Sequence, residues 1–191
     1  NNDWAIPATV DERRFAVFEC SSAFIGDKSY FNDLYGQLEA NGGEGYRALM
    51  TVLMGWKVDQ TMVHVPPKTA ALGDQKLETL DPIGKWLHTA LSDGCIAGVD
   101  TGFEDGISWP KGVMVDEAYD AYVDHAKGLG FHFPKDKRGF GRVLVKMLGP
   151  CISKKKRVRG GKSQGYMYNF FSLEECRGAF GDWFGQEVFW D

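Results

Sequence analysis

The chain has too few cysteines for a disulfide framework, and Cys20, Cys95, Cys151 and Cys176 lie too far apart for any C-x-x-C pair. Reduced thiols are therefore expected, which places the chain in the cytoplasm, the host's if it is phage-encoded. It also lacks any apolar run near the roughly 18 residues that span a bilayer. The opening Asn1-Asn2-Asp3-Trp4 carries neither the basic nor the apolar region of a leader, so no membrane partner is expected. Four histidines, His64, His88, His125 and His132, have no mate at ligand spacing, and no metal is predicted. Acidic pairs do occur, at Glu104-Asp105 and Asp116-Glu117, but they sit in a loop and at a helix start, where carboxylates favour the helix dipole over acid–base work.

What the chain does have is apolar and aromatic content: 43% hydrophobic and 14% aromatic residues over 191 positions, enough for a folded core in one domain or two small ones. Its charge is segregated. Residues 1–133 hold 10 Lys/Arg against 20 Asp/Glu, residues 134–162 hold 11 against the single Asp136, and residues 163–191 hold Arg177 against 5 acids. Half of the basic residues thus occupy about one-seventh of the chain, which points to a polyanionic partner. The other readings of this stretch are a solvated basic surface and a contact with RNA or an acidic protein.

The apolar spacing predicts a mainly helical α+β protein. Arg14–Cys20 reads as a short, mostly buried strand. Tyr30, Phe31, Leu34, Tyr35 and Leu38, then Tyr46, Leu49, Met50, Leu53 and Met54, predict a helical hairpin turning at Asn41-Gly42-Gly43. Two helices follow over 69–79 and 82–91, the second opened by Asp81 as N-cap with Pro82 behind it. The remaining order is a short strand at 112–115, helices at 116–129 and 137–148, two strands around Gly160-Gly161, and a closing helix at 172–184. That is the order of a winged helix-turn-helix. In 116–129 the inward stripe is Ala118, Tyr119, Tyr122, Val123 and Ala126, and in 137–148 it is Phe140, Val143, Leu144 and Met147. Lys137, Arg138, Arg142 and Lys146 are left to face outward, and Lys154, Lys155, Lys156, Arg157, Arg159 and Lys162 furnish a basic wing on a hairpin whose return strand alternates aromatics at 166, 168 and 170. These ten cations are the predicted DNA-binding residues. Trp109-Pro110 and the closing Val188-Phe189-Trp190 are assigned to the core or to docking rather than to base stacking.

Gly161-Lys162-Ser163 imitates the end of a phosphate-binding loop. The full pattern G-x-x-x-x-G-K-[ST] requires glycine at position 156, which is Lys156, and lacks its strand before and helix after. The chain alone is therefore not expected to hydrolyse ATP, and no cofactor is predicted for it.

The first residues resemble the end of the ATPase core of superfamily-3 helicases. There a strand ends in a polar Asn, a loop with Pro follows, and an Arg-Phe pair opens the next strand; Asn2, Pro7, Arg13 and Arg14-Phe15 match that order. Asp27-Lys28-Ser29-Tyr30-Phe31, Asn41-Gly42-Gly43, Pro66-Pro67-Lys68-Thr69, Gln75-Lys76-Leu77, Leu80-Asp81-Pro82 and Ser172-Leu173-Glu174-Glu175-Cys176-Arg177 are similar to the C-terminal part of phage and plasmid primase-helicases. The resemblance implies that Asn2 is a sensor near the γ-phosphate and that Arg13 or Arg14 is an arginine finger supplied to a neighbouring subunit, where a fixed guanidinium stabilises charge on the transferring phosphoryl. It implies a phosphate-binding loop and an acidic metal-binding strand upstream of Asn1, with ATP and Mg used only by the full-length, hexameric helicase. The expected division is 1–75 as the end of the ATPase core with its helical hairpin, and 76–191 as a winged-helix nucleic-acid-binding domain with its closing helix. Two other functions fit the same residues: a standalone winged-helix DNA-binding regulator, and an adaptor that recruits a replication partner through the acidic part.

Overall fold

A computed structural model describes residues 6–12, 14–59, 67–99, 108–159 and 162–190. It is a mainly helical α+β structure of six helices and one small antiparallel sheet. The helices are α1 (Lys28–Gly55), α2 (Ala70–Glu78), α3 (Pro82–Asp93), α4 (Val115–Gly128), α5 (Lys137–Leu148) and α6 (Leu173–Phe184). The strands are β1 (Gly112–Met114), β2 (Ile152–Arg159) and β3 (Lys162–Phe170), in the order β1-β3-β2. None of these helices is long and apolar enough to cross a membrane.

The helix starts are set by side chains that satisfy free backbone N–H groups. Thr69 Oγ1 accepts from Leu72 N, Asp81 from Gly84 N at 2.8 Å, and Asp136 from Gly139 N at 2.9 Å. Ser172 and Glu175 form a reciprocal capping box at the start of α6. Three helices and the sheet then close over one core. Ile83, Trp86, Leu87 and Leu91 of α3 meet Ala118, Tyr122 and Ala126 of α4 and Phe140, Leu144 and Leu148 of α5. Val113, Ile152, Tyr168 and Phe170 cover it from the sheet, while Cys176, Phe180 and Phe184 of α6 close the other side. The short α2 joins this body: Gln186 Nε2 donates to the Thr69 carbonyl at 2.7 Å, and the buried Lys76 donates to the Val10 carbonyl at 3.0 Å.

Two features differ from the sequence expectation. Arg14–Cys20 is not a buried strand. It has no strand assignment, and Phe15 and Phe18 are 36% and 67% exposed. A β-prone run becomes a strand only when another edge accepts its backbone hydrogen bonds, and no strand pairs with it among the described residues. The helical hairpin does form, but its apolar faces stay open, since no residue of α1 is buried. The helical course breaks at Ala40–Gly43, where Asn41, Gly42 and Gly43 take φ of 51°, 71° and 88°. Beyond the break the chain presses against itself so closely that a Cβ on Gly45 would lie 2.6 Å from the Gln37 carbonyl oxygen, which only glycine avoids.

Candidate nucleic-acid interface

Helix α5 is amphipathic because its apolar residues recur every three or four positions. Phe140, Leu144, Met147 and Leu148 are buried, while Arg138, Arg142, Val145 and Lys146 are exposed along the opposite side. Arg138 and Arg142 have no carboxylate within ion-pair distance among the described residues, so their charge is open to a ligand. Lys146 borders a hollow of about 560 Å³ shared with Glu175 and Asp182, which places acidic groups near it.

Lys137 is the exception among the four predicted cations of this helix. It is exposed, but its Nζ is bound to Asp116 Oδ1 at the start of α4 and lies 5.3 Å from the Tyr119 ring centroid. The hydrogen bond to Asp116 raises the Lys137 pKa above the ordinary lysine value. At about 100° per residue, Lys137 stands apart from the Arg138–Arg142–Lys146 stripe. It ties α5 to α4 instead of extending the open cationic face.

A single 3-10 turn, Gly149–Cys151, carries the chain from α5 directly into β2. The β2/β3 pairing sets Ile152 opposite Phe170, Lys154 opposite Tyr168, and Lys156 opposite Tyr166, so these six side chains share one face. The root of that face is core: Tyr168 and Phe170 are 2% and 6% exposed. Farther out it emerges into solvent, where Tyr166 is 52% exposed and Lys154 Nζ sits 4.8 Å from its ring centroid. Lys155 and Arg157 are exposed as well, and Arg157 reaches Met114 Sδ at 3.7 Å. The register slips between Lys156 and Val158, and Gly165 on the partner strand takes φ +103°, a conformation open to glycine. The side chains of Arg159 and Lys162 lie outside the described part. Their backbones pair with each other, and Ser163 pairs with Val158, so the Lys162-Ser163 pair opens a strand where a phosphate-binding loop would open a helix.

Of the residues assigned to ATPase chemistry, Asn2 and Arg13 lie outside the described residues and only Arg14 is among them. Its backbone N–H and Nε donate to Glu12 Oε1 at 2.8 and 3.2 Å, and its Nη2 lies 3.4 Å from Glu12 Oε2. The bond to Glu12 raises its pKa further above the ordinary arginine value.

Of the other candidates, Trp109 and Trp190 pack against the core, whereas Phe189 does not and is 74% exposed. Trp109 Nε1 donates to the Phe171 carbonyl at 3.1 Å, Trp190 stacks on His88 at 5.4 Å, and the guanidinium of Arg177 lies 5.3 Å from the Trp190 ring. Sequence reasoning passed over the turn between α4 and α5, where Leu129, Phe131 and Phe133 are 47%, 42% and 97% exposed. Three large apolar residues in five loop positions were the signal available for it. The chain matches no known protein family, no curated protein and no solved structure.

Proposed function

We propose that this chain binds DNA through a winged helix-turn-helix, with α5 as the groove-facing helix and the β2/β3 hairpin as the wing. One observation carries the reading. The four consecutive cations Lys154, Lys155, Lys156 and Arg157 are all exposed on a hairpin that continues, through one turn, from an amphipathic helix whose outer side bears Arg138 and Arg142. The element order α3, β1, α4, α5, β2, β3 is the order such a domain requires, and the aromatic root of the hairpin anchors the wing to the core. Lysine and arginine on phosphates give affinity without sequence information, whereas side chains of a helix in a groove add base readout.

The resemblance to phage and plasmid primase-helicases supplies the biological setting of the proposal. In it, the chain is the C-terminal region of a replicative helicase-primase in the host cytoplasm, engaging DNA in a homohexamer whose ATP and Mg sites belong to the full-length protein. There Asn2 would be the sensor near the γ-phosphate, and Arg13 or Arg14 the finger supplied to a neighbouring subunit. The salt link to Glu12 is one that Arg14 would have to break to reach another subunit as the finger.

The test is the salt dependence of DNA binding. Four to six phosphate contacts give a slope of log affinity against log salt of roughly −4 to −5 on duplex DNA. Neutralising Lys154, Lys155, Lys156 and Arg157 together flattens that slope by several units and weakens binding about equally across sequences. No binding at low salt, or an unaltered slope in the fourfold variant, overturns the proposal. Tight binding to one duplex site, well above non-specific affinity, would instead mark a standalone regulator.

A further inference from the structure

The turn joining α4 to α5 is fixed at both ends. On its α4 side, Gly130 N donates to the Lys127 carbonyl and Phe131 N to the Ala126 carbonyl, both at 2.9 Å. On its α5 side two tyrosine hydroxyls of α4 bracket one residue: Lys135 N donates to Tyr122 Oη at 2.9 Å, and Tyr119 Oη donates to the Lys135 carbonyl at 3.1 Å. Lys135 Nζ is further bound to Asp81 at 2.7 Å. Between these anchors stands Phe133, 97% exposed, the most exposed large apolar side chain among the described residues. Phe131, two positions earlier, is 42% exposed.

An aromatic ring held out in water from a braced turn gains nothing for the fold, since its apolar surface is hydrated in the free chain. The open cations that follow it along the chain define the ligand. Phe133 precedes the start of α5 by a few residues, and the first open cation on that helix is Arg138, followed one turn later by Arg142. A partner that satisfies both features needs a flat apolar face and a negative backbone close to it, which describes a nucleotide. Within a duplex the faces of the bases are already stacked on each other, so a ring of this kind can use only a base that is unpaired.

We infer that Phe133 is a stacking platform for an unpaired nucleobase, so that the domain prefers DNA carrying a single-stranded tail over blunt duplex. The inference rests on the DNA-binding reading and deepens it by naming the form of DNA.

The experiment compares a blunt duplex with the same duplex bearing a thymidine tail, and a second tail carrying a fluorescent adenine analogue reports stacking directly. The wild-type chain is expected to bind the tailed duplex between about 5- and 100-fold more tightly than the blunt one. Phe133→Ala removes that preference, leaves blunt-duplex affinity and thermal unfolding unchanged, and abolishes the change in analogue fluorescence. Phe133→Trp preserves all four wild-type readings. Equal wild-type affinity for both DNAs, with both lost on neutralising Lys154–Arg157, overturns the platform while the DNA-binding reading stands. Binding to neither DNA overturns both. A Phe133→Ala chain that keeps its tail preference but loses self-association in sedimentation assigns the turn to a second copy of the chain and also overturns the inference.

Discussion

Phe140 of α5 stacks on Tyr122 of α4, with ring centroids 5.0 Å apart and planes inclined by only 17°. Trp86 of α3 meets the same phenyl ring edge-on at 5.3 Å, and Tyr168 of β3 approaches it at 6.5 Å. One side chain therefore meets aromatic residues of two other helices and of the strand that roots the wing, and it projects from the helix that bears Arg138 and Arg142. Position of the proposed DNA-reading helix and stability of the fold are coupled at this residue.

Phe140→Ala is expected to destabilise the protein by about 3–5 kcal/mol, the usual cost of emptying a buried aromatic site. Leu49→Ala in the open hairpin, where the side chain is 50% exposed, is expected to change stability by less than about 0.5 kcal/mol. Denaturant unfolding of both variants checks the contrast. Comparable losses would mean that the α1 apolar face is covered in solution.

The Lys137–Asp116 link makes a second prediction about charge. Lys137→Ala should alter the salt slope of DNA binding less than Arg142→Ala, because Asp116 already neutralises Lys137. Asp116→Asn releases that ammonium and adds up to about one unit to the slope, at roughly 0.9 per phosphate contact. Titrating labelled duplex at several salt concentrations against the three variants decides it. A Lys137→Ala loss equal to that of Arg142→Ala would place Lys137 on the phosphates despite its carboxylate.

Much of the body was legible because its local and tertiary signals agree. The 137–148 helix could be read to the residue, because Phe140, Leu144 and Met147 recur at helical spacing; its Asp136 cap is visible only in the structure. The hairpin was legible from alternating aromatics flanking a glycine pair, and its register puts those aromatics on one face. Arg14–Cys20 misled because its β propensity is local, whereas strand formation depends on an edge elsewhere in the chain. Lys137 is exposed as expected, but its link to Asp116 was not legible, because grouping cations one turn apart ignores the angle between adjacent positions and cannot foresee a carboxylate 21 residues upstream. The exposure of Phe133 is set by where Tyr119 and Tyr122 hold Lys135, which no spacing rule within the turn contains.

ATP turnover offers a third prediction. Position 156 is lysine where a phosphate-binding loop needs its first glycine, and Lys162 and Ser163 lead into β3. The purified chain is expected to release no phosphate from ATP above background. Hydrolysis that disappears in Lys162→Ala would show that the tripeptide binds phosphate after all.

The last prediction concerns Cys176, which is wholly buried beside Cys151. Burial, with a smaller contribution from Cys151, pushes its thiol from 9.0 up to about 11. The folded state therefore holds this proton more tightly than the unfolded chain does. Below the unfolded value both states are protonated and the thiol's contribution is constant; as pH rises from about 9 towards 11 the unfolded state ionises first, and stability falls. Two units correspond to at most ~3 kcal/mol, a bound that applies to a group shielded from solvent as this one is. Tyr122 and Tyr168, also raised by burial, lower stability in the same direction at high pH, so wild type must be compared with Cys176→Ala, which keeps both tyrosines. The expected result is a stability gap between the two proteins that narrows steadily across pH 9 to 11, together with a Cys176 thiol that resists alkylation below pH 9 until the protein is unfolded. A gap that stays constant over the window, or rapid labelling of the native thiol at neutral pH, would mean that water reaches Cys176 and that α6 does not seal this side of the core.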